Sequence, residues 1–432
     1  MLIEFKVGNY LSFKDITTLS MVASQDKEQL DTNTIKINDK LRLIRSAAVY
    51  GANASGKTNL FKAMAFMRYF ILNSSKESQS TEKIPVDGFR LSTDTEEMPS
   101  SFEITFIINN IRYRYGFQVD REQVHNEWLF FVPTIREAAL FIREKDSIKL
   151  GPGFKEGRGL EGKTRPNALF LSVSDQFNGE IAKKILEWIK EFKIVPALDS
   201  SKELAFTISS WDDKDLRDFT LKFLKAADIG IKDLEIKSAP ITEDDLPDEL
   251  PKRLRKKFLS LVSKLSEGEG ERVEVKSIHQ KYDRNKKPLC EEYFDFDSTE
   301  SAGTQALFAF SARIFYTLKN GWVLAVDELT SKLHPLLTRA IIEIFHQYNA
   351  GKDEKSTSKA QFIFANHDTN ILTNRFFRRD QIWFTRKDEY GASELYSLEE
   401  FRIRKDASFN KDYITGKYGA IPFIGDIESL FK

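Results

Sequence analysis

Gly51-Ala52-Asn53-Ala54-Ser55-Gly56-Lys57-Thr58 is the stretch on which the reading of this chain turns. It fits G-x-x-x-x-G-K-[ST], a loop pattern that holds phosphate groups. Its glycines let the backbone curl until several N–H groups point at one anion. A helix after the loop adds its positive N-terminal end. Lys57 is placed to reach the β- and γ-phosphates of a nucleotide, and the Thr58 hydroxyl to ligate Mg²⁺. The flanks agree. Ser46-Ala47-Ala48-Val49-Tyr50 reads as a short buried strand, and Asn59 to Met67 carries apolar residues at helical spacing. The expected phosphate-binding set is Gly51, Asn53, Ala54, Ser55, Gly56, Lys57, Thr58 and Asn59, with ATP as the ligand.

Upstream of the loop, residues 1–23 alternate apolar and polar and read as two strands joined near Gly8-Asn9. Ser24 to Asn38 reads as a polar loop. Downstream, residues 84–142 read as an antiparallel meander, with Asn109-Asn110 as the turn between two of its strands. Gly151 to Lys163 is glycine-rich and charged, which predicts a loop. Apolar stripes predict helices within 181–227 and over 247–266. The second carries Lys252, Arg253, Arg255, Lys256 and Lys257 on its other face, read as solvated. Two strands near 271–281 and 288–297 follow as a hairpin.

The whole chain limits the choices. Its 432 residues allow one to three domains, and 41% hydrophobic residues suffice for a real core. Lys and Arg total 65 and Asp and Glu total 65, so charge gives no global case for nucleic acid or an acidic membrane. The single cysteine, Cys290, cannot form an internal disulfide and suggests no thiolate metal site. The N-terminal residues lack a signal-peptide pattern, and no run of about eighteen apolar residues predicts a membrane span. The expected compartment is the cytoplasm.

The second half of the site lies far along the chain. Trp322-Val323-Leu324-Ala325-Val326 is an apolar run ending in Asp327-Glu328. A buried strand ending in two carboxylates is a Walker B element. Asp327 is expected to hold the Mg²⁺ shell and Glu328 to act as general base on the attacking water. Upstream, Glu300-Ser301-Ala302-Gly303-Thr304-Gln305 precedes a helix; taken alone, it is a helix cap made by Ser301 or Thr304. Phe362-Ile363-Phe364-Ala365-Asn366-His367 is a further strand ending in a histidine. Leu329 to Pro335 links these two strands.

The order of these elements resembles the ABC ATPase superfamily. In that resemblance Ser301 and Gly303 form the signature turn that binds the γ-phosphate of an opposite subunit, His367 is the switch histidine, and Leu329 to Pro335 is the D-loop. Gln176 is the candidate Q-loop residue. The long interval from Thr58 to Ser301 resembles the RecF/SMC-like branch. Within it, Phe5-Lys6-Val7-Gly8-Asn9-Tyr10-Leu11-Ser12-Phe13, the loop itself and Gly416-Lys417-Tyr418-Gly419-Ala420-Ile421-Pro422 look like the stand-alone phage-defence ATPases of the RloA/AbiL, overcome-lysogenization-like type. The implied fold class is α/β: a P-loop NTPase with an ABC ATPase head, an antiparallel β-subdomain and a helical insertion. The expected boundaries are 1–180 for the first ATPase lobe, 181–289 for the insertion and 290–432 for the second lobe. The implied function is ATP hydrolysis with Mg²⁺ by a homodimer or higher homo-oligomer with composite sites. It would control a separate effector protein from the same operon, such as a nuclease or toxin, with no membrane partner. Two alternatives stand beside it. One is a RecF-like repair ATPase that clamps nucleic acid through Lys252 to Lys257 and Arg375, Arg378 and Arg379. The other is a scaffold that ATP stabilises with little turnover.

Overall fold

In the computed structural model the chain divides into two compact units, residues 1–199 with 316–432, and residues 200–315. The structure describes residues 1–77, 79, 81–195, 200–227, 229–240, 271–329, 333–347, 358–404 and 407–421. The expected helix 247–266 with its basic run, Thr330 to Lys332 of the linker, and Pro422 lie outside the described residues.

The first unit begins with strands β1 (Leu2–Gly8), β2 (Thr17–Ser20), β3 (Thr34–Lys36), β4 (Arg42–Ile44) and β5 (Ser46–Gly51). It continues with β6 (Ser100–Ile108), β7 (Ile111–Val119), β8 (Val124–Val132), β9 (Ala138–Glu144), β10 (Ser147–Leu150) and β11 (Phe192–Val195). The antiparallel sheet runs β10-β9-β8-β7-β6-β1-β2. Asn109 and Asn110 adopt φ of 50° and 65°, the left-handed pair that a tight hairpin between β6 and β7 needs. The N-terminal strands join the meander because β1 pairs with β6, Phe5 opposite Ile104. That pairing spans too much sequence to show in a local pattern. The expected loop from Ser24 to Asn38 instead contains a short helix, Leu30–Asn33, and β3.

A helix, Lys57–Asn73, follows β5 and buries Leu60, Phe61, Met64, Met67, Phe70 and Ile71. These side chains belong to one core with Phe5, Phe102 and Phe117 of the antiparallel sheet, and with Val49, Val323 and Ile363 of the parallel strands. Asn9 fixes the turn after β1. Its amide donates to Thr95 O at 3.1 Å and Met98 O at 2.6 Å, and its Oδ1 accepts from Phe89 N at 2.9 Å.

The second unit contains β12 (Ile231–Pro240), β13 (Glu271–Tyr282) and β14 (Pro288–Asp295) as an antiparallel sheet. The hairpin β13–β14 matches expectation; β12 was not foreseen. Helices Ser200–Ser209 and Lys214–Ala226 belong to this unit with most of helix Ala302–Asn320. Phe308 packs edge-on against Trp211 and Phe296, and Arg313 pairs with Glu203 at 2.8 Å. Cys290 is exposed on β14.

The observed division differs from the expected boundaries at 180/181 and 289/290. Helix Glu180–Glu191 and β11 stay with the first unit, because β11 is a strand of its parallel sheet. The inserted unit is mixed and not simply helical, because β12 to β14 form a sheet of their own. Four more strands return the chain to the first unit: β15 (Val323–Val326), β16 (Gln361–Ala365), β17 (Ile382–Lys387) and β18 (Ser393–Ser397). Among the described residues no helix is long and apolar enough to cross a membrane.

Candidate active site

The parallel sheet has the order β11-β15-β16-β5-β17-β18. β15, β16, β5 and β17 run parallel, so their carboxyl ends share one edge. Ligands of open α/β sheets bind at that edge. Here it presents the loop after β5, Asp327-Glu328 after β15, Asn366-His367 after β16 and Lys387 at the end of β17. A cleft of 490 Å³ is lined by Asn53 to Asn59, Glu328, His367 and Lys387.

All six residues of β5 are buried. Beyond it the loop curls through Ala54 at φ 61° and Gly56 at φ 116°. A Cβ on Gly56 would sit 2.3 Å from Ser393 Oγ, and one on Gly51 2.4 Å from Thr385 O, so both sites need glycine for space. Hydroxyl groups hold the loop from behind. Ser55 Oγ lies 2.6 Å from Thr385 Oγ1, and Ser393 Oγ donates to Ser55 O at 2.8 Å. Ser12 Oγ is 2.8 Å from Ser393 Oγ and accepts from Asn59 Nδ2 at 2.7 Å.

Lys57 turns back onto its own loop, donating to Gly51 O and Ala52 O at 2.8 Å each. Burial lowers its pKa from 10.5 to about 8, against the opposing pull of Asp327 and Glu328. Asp327 accepts a hydrogen bond from the Thr58 side chain, and burial raises its pKa. Its Oδ1 is buried without a hydrogen-bond partner. An orphaned carboxylate oxygen beside a threonine hydroxyl fits Mg²⁺, which takes one or two protein oxygens and completes its shell with phosphate and water. Thr58 and Asp327 are thus the residues able to hold that ion. No cluster of three or more His, Cys, Asp or Glu residues suited to a metal exists among the described residues.

Glu328 adopts φ 55°, a left-handed backbone that costs a residue other than glycine about 1–3 kcal/mol. The turn places it on the cleft wall. His367 also lines the cleft, and partial desolvation of its ring and the nearby Lys57 lower its pKa despite Glu328. Asn366 anchors it: the buried amide donates to Tyr50 OH at 3.0 Å, tying the end of β16 to β5. One arrangement therefore combines an anion cradle, a cation, a metal-ready carboxylate and a second carboxylate facing the cleft.

The fold brings together the loop residues Asn53 to Asn59 with Glu328 and His367, and the Thr58–Asp327 bond places Asp327 beside them. Ser301 and Gly303 belong to the second unit and do not line this cleft. There Ser301 Oγ accepts from Thr304 N at 3.1 Å, as a helix cap does, and Glu300 is held by Ser277 at 2.6 Å and His279 at 2.8 Å. Gln176 is exposed, bonds Ser75 O at 3.0 Å and is not on the cleft wall. Sequence reading missed Lys387, Thr385, Ser393 and Ser12. Only the pairing of β17 with β5 and β18, and the contacts of Ser12 with Ser393 and Asn59, bring them to the loop.

The fold is α/β, with a P-loop at the carboxyl edge of a parallel sheet. The chain belongs to the family described as AAA domain, putative AbiEii toxin, Type IV TA system, which matches residues 46–373. No curated protein matches it in sequence. Solved structures similar to it include the SMC head domain from Thermotoga maritima, at 11% identity and TM-score 0.39, covering 92% of this chain and 98% of that one. An Smc head domain bound to the C-terminal domain of ScpA, derived from Pyrococcus furiosus, also scores 0.39 at 11% identity and covers 96% and 98%. The recombination mediator RecF with ATPrS scores 0.30 at 13% identity and covers 91% and 98%. These scores are too low to carry an argument about this chain.

Lys57 links nucleotide binding to pH. A bound triphosphate holds the ammonium charged, so affinity for ATP is expected to be highest below pH 8 and to fall as pH rises through about 8. The fall is up to about tenfold per unit. The unliganded fold responds in the opposite sense. Its lysine pKa lies below the unfolded value, so stability rises with pH between about 8 and 10.5. Titration calorimetry across pH 7–10 checks this; Lys57→Ala should bind weakly and lose the pH-dependent step.

Proposed function

We propose that this chain binds ATP with Mg²⁺ in the cleft, hydrolyses it as a homodimer or higher homo-oligomer, and so controls a separate effector in anti-phage defence. The observation that carries the catalytic part is the pair at the end of β15. Asp327 leaves a buried oxygen for a cation, and strained Glu328 faces the cleft. Thr58 and Asp327 would hold Mg²⁺, which would supply charge neutralisation to the phosphates. Lys57 exchanges its two carbonyl partners for phosphate oxygens. Glu328 takes the proton of the attacking water as the bond from its oxygen to the γ-phosphorus forms and the bond to ADP breaks. His367 donates a ring N–H to a γ-phosphate oxygen. Positioning and charge compensation do the rest.

The composite site rests on Ser301 and Gly303 at the N-terminus of helix Ala302–Asn320. A helix N-terminus can receive an anion but has no lysine or base of its own. Two chains facing head to tail supply each P-loop with the other's turn. The effector part rests on the family description, which is that of a toxin–antitoxin system. The DNA-clamping alternative loses part of its basis. Arg378 is buried and paired with Asp380 at 2.7 Å, and Arg379 pairs with Asp26 at 3.2 Å and Glu399 at 3.3 Å.

Glu328→Gln keeps the shape of the wall but removes the base. Phosphate release should fall by about a hundredfold or more while ATP stays bound. Release at the wild-type rate would deny Glu328 its role. Lys57→Ala and Ser301→Arg should each be inactive alone. Mixed with proven subunit exchange, some heterodimers hold one intact loop facing one intact turn, and partial activity should return. No recovery would rule against sites shared between chains. Co-expression with the product of the adjacent gene should yield a complex that co-purifies. Defence that persists without that neighbour, with no complex formed, would remove the effector from the scheme.

A further inference from the structure

The geometry points to Lys387 as a second nucleotide-binding cation, one that grips the α/β-phosphate portion of the nucleotide and leaves the γ-phosphate to the far side of the cleft. The inference rests on the reading of this cleft as an ATP site.

Three observations place the side chain. Lys387 lies on the cleft wall. Thr385, two residues before it, meets the loop directly through Ser55 Oγ at 2.6 Å. Side chains two apart on a strand share a face, so Lys387 points the same way one step further along. Its partner across the ladder is Ser393, which donates to Ser55 O at 2.8 Å. Both neighbours of Lys387 are therefore bonded to the phosphate loop, and its own ammonium projects beyond them.

Charge supports the assignment. Arg386, next in the chain, is tied to Glu394 at 2.6 Å. Among the described residues no ion pair holds Lys387. A lysine on the wall of an anion cradle without an internal carboxylate is a cation left for the ligand.

Topology decides which part of the ligand it meets. β5 lies between β16 and β17. His367 ends one flank, with Asp327 and Glu328 one strand beyond, and Lys387 ends the other. Hydrolysis of the γ-phosphate belongs to the flank with the carboxylates and the histidine. Lys387 faces the opposite end, where the phosphates common to ATP and ADP lie. It is accordingly a binding residue and not a catalytic one, acting equally on substrate and product.

The test is calorimetric titration of wild type, Lys387→Ala and Lys387→Arg with ATP and with ADP, beside steady-state phosphate release. The residue is exposed, and melting curves should be unchanged. Lys387→Ala should weaken both nucleotides about tenfold, the worth of one charge-assisted contact. KM should rise with kcat held, and Lys387→Arg should recover most of the affinity. Unchanged affinity for both nucleotides overturns the inference. So does a loss confined to ATP, which would move the contact to the γ-phosphate, or a fall in kcat alone. If wild type binds neither nucleotide, the reading of the cleft itself fails and takes this one with it.

Discussion

The loop that holds phosphate is itself held by hydroxyl groups. Ser55 Oγ meets Thr385 Oγ1, and Ser55 O receives the Ser393 hydroxyl, which also touches Ser12. A phosphate cradle works through backbone N–H groups fixed before the anion arrives, and an unbraced glycine loop would pay for its ordering on binding. The brace explains why the glycines are spatial necessities. Gly56 touches the place that Ser393 occupies, and Gly51 the place of Thr385. Any side chain at either position displaces the brace before it reaches the ligand.

Glu328 and Asp327 show two different costs on the same short turn. Glu328 keeps a backbone conformation that its side chain disfavours, and Asp327 buries an oxygen that nothing satisfies. Both are unfavourable to the fold in isolation. The surrounding strands tolerate them because β15 is buried at all four positions between β11 and β16. Arg143 and Glu127 offer a contrast elsewhere in the unit. Both are buried, but Glu127 accepts from Tyr115 OH at 2.9 Å, Phe170 N at 2.7 Å and Leu171 N at 3.0 Å, so that carboxylate is spent on structure. Asp327 instead keeps one buried oxygen unbonded beside the Thr58 hydroxyl.

What could be read from the residues was local. The glycine loop, the apolar run ending in Asp327-Glu328, the strand ending in His367 and the Asn109-Asn110 turn each declare themselves within a few positions. Asn366 and Asn9 also sit inside motifs quoted from the sequence, though their bonding to Tyr50 and Met98 could not be seen there. What escaped depended on distant pairing. β11 is only four residues long, follows a helix directly and looks like its tail; its partner β15 begins only at Val323. β12 is polar on much of its length and has meaning only beside β13. Lys387 is an ordinary exposed lysine until β17 is laid against β5 with Thr385 opposite Gly51. The boundary near 180 failed for the same reason: helical periodicity was visible, and membership of a sheet was not.

The brace joins the two ends of the sequence, since Ser12 and Ser393 are 381 residues apart and meet at the loop between them. The phosphate loop is translated early, and its sequence is complete long before its support exists. A ribosome must finish β17 and β18 before the loop can be clamped, so a prematurely terminated polypeptide carries the motif without a working cradle. The motif is thus local in sequence, but the rigidity of its loop is a tertiary property, set by residues from both sides of it in the chain.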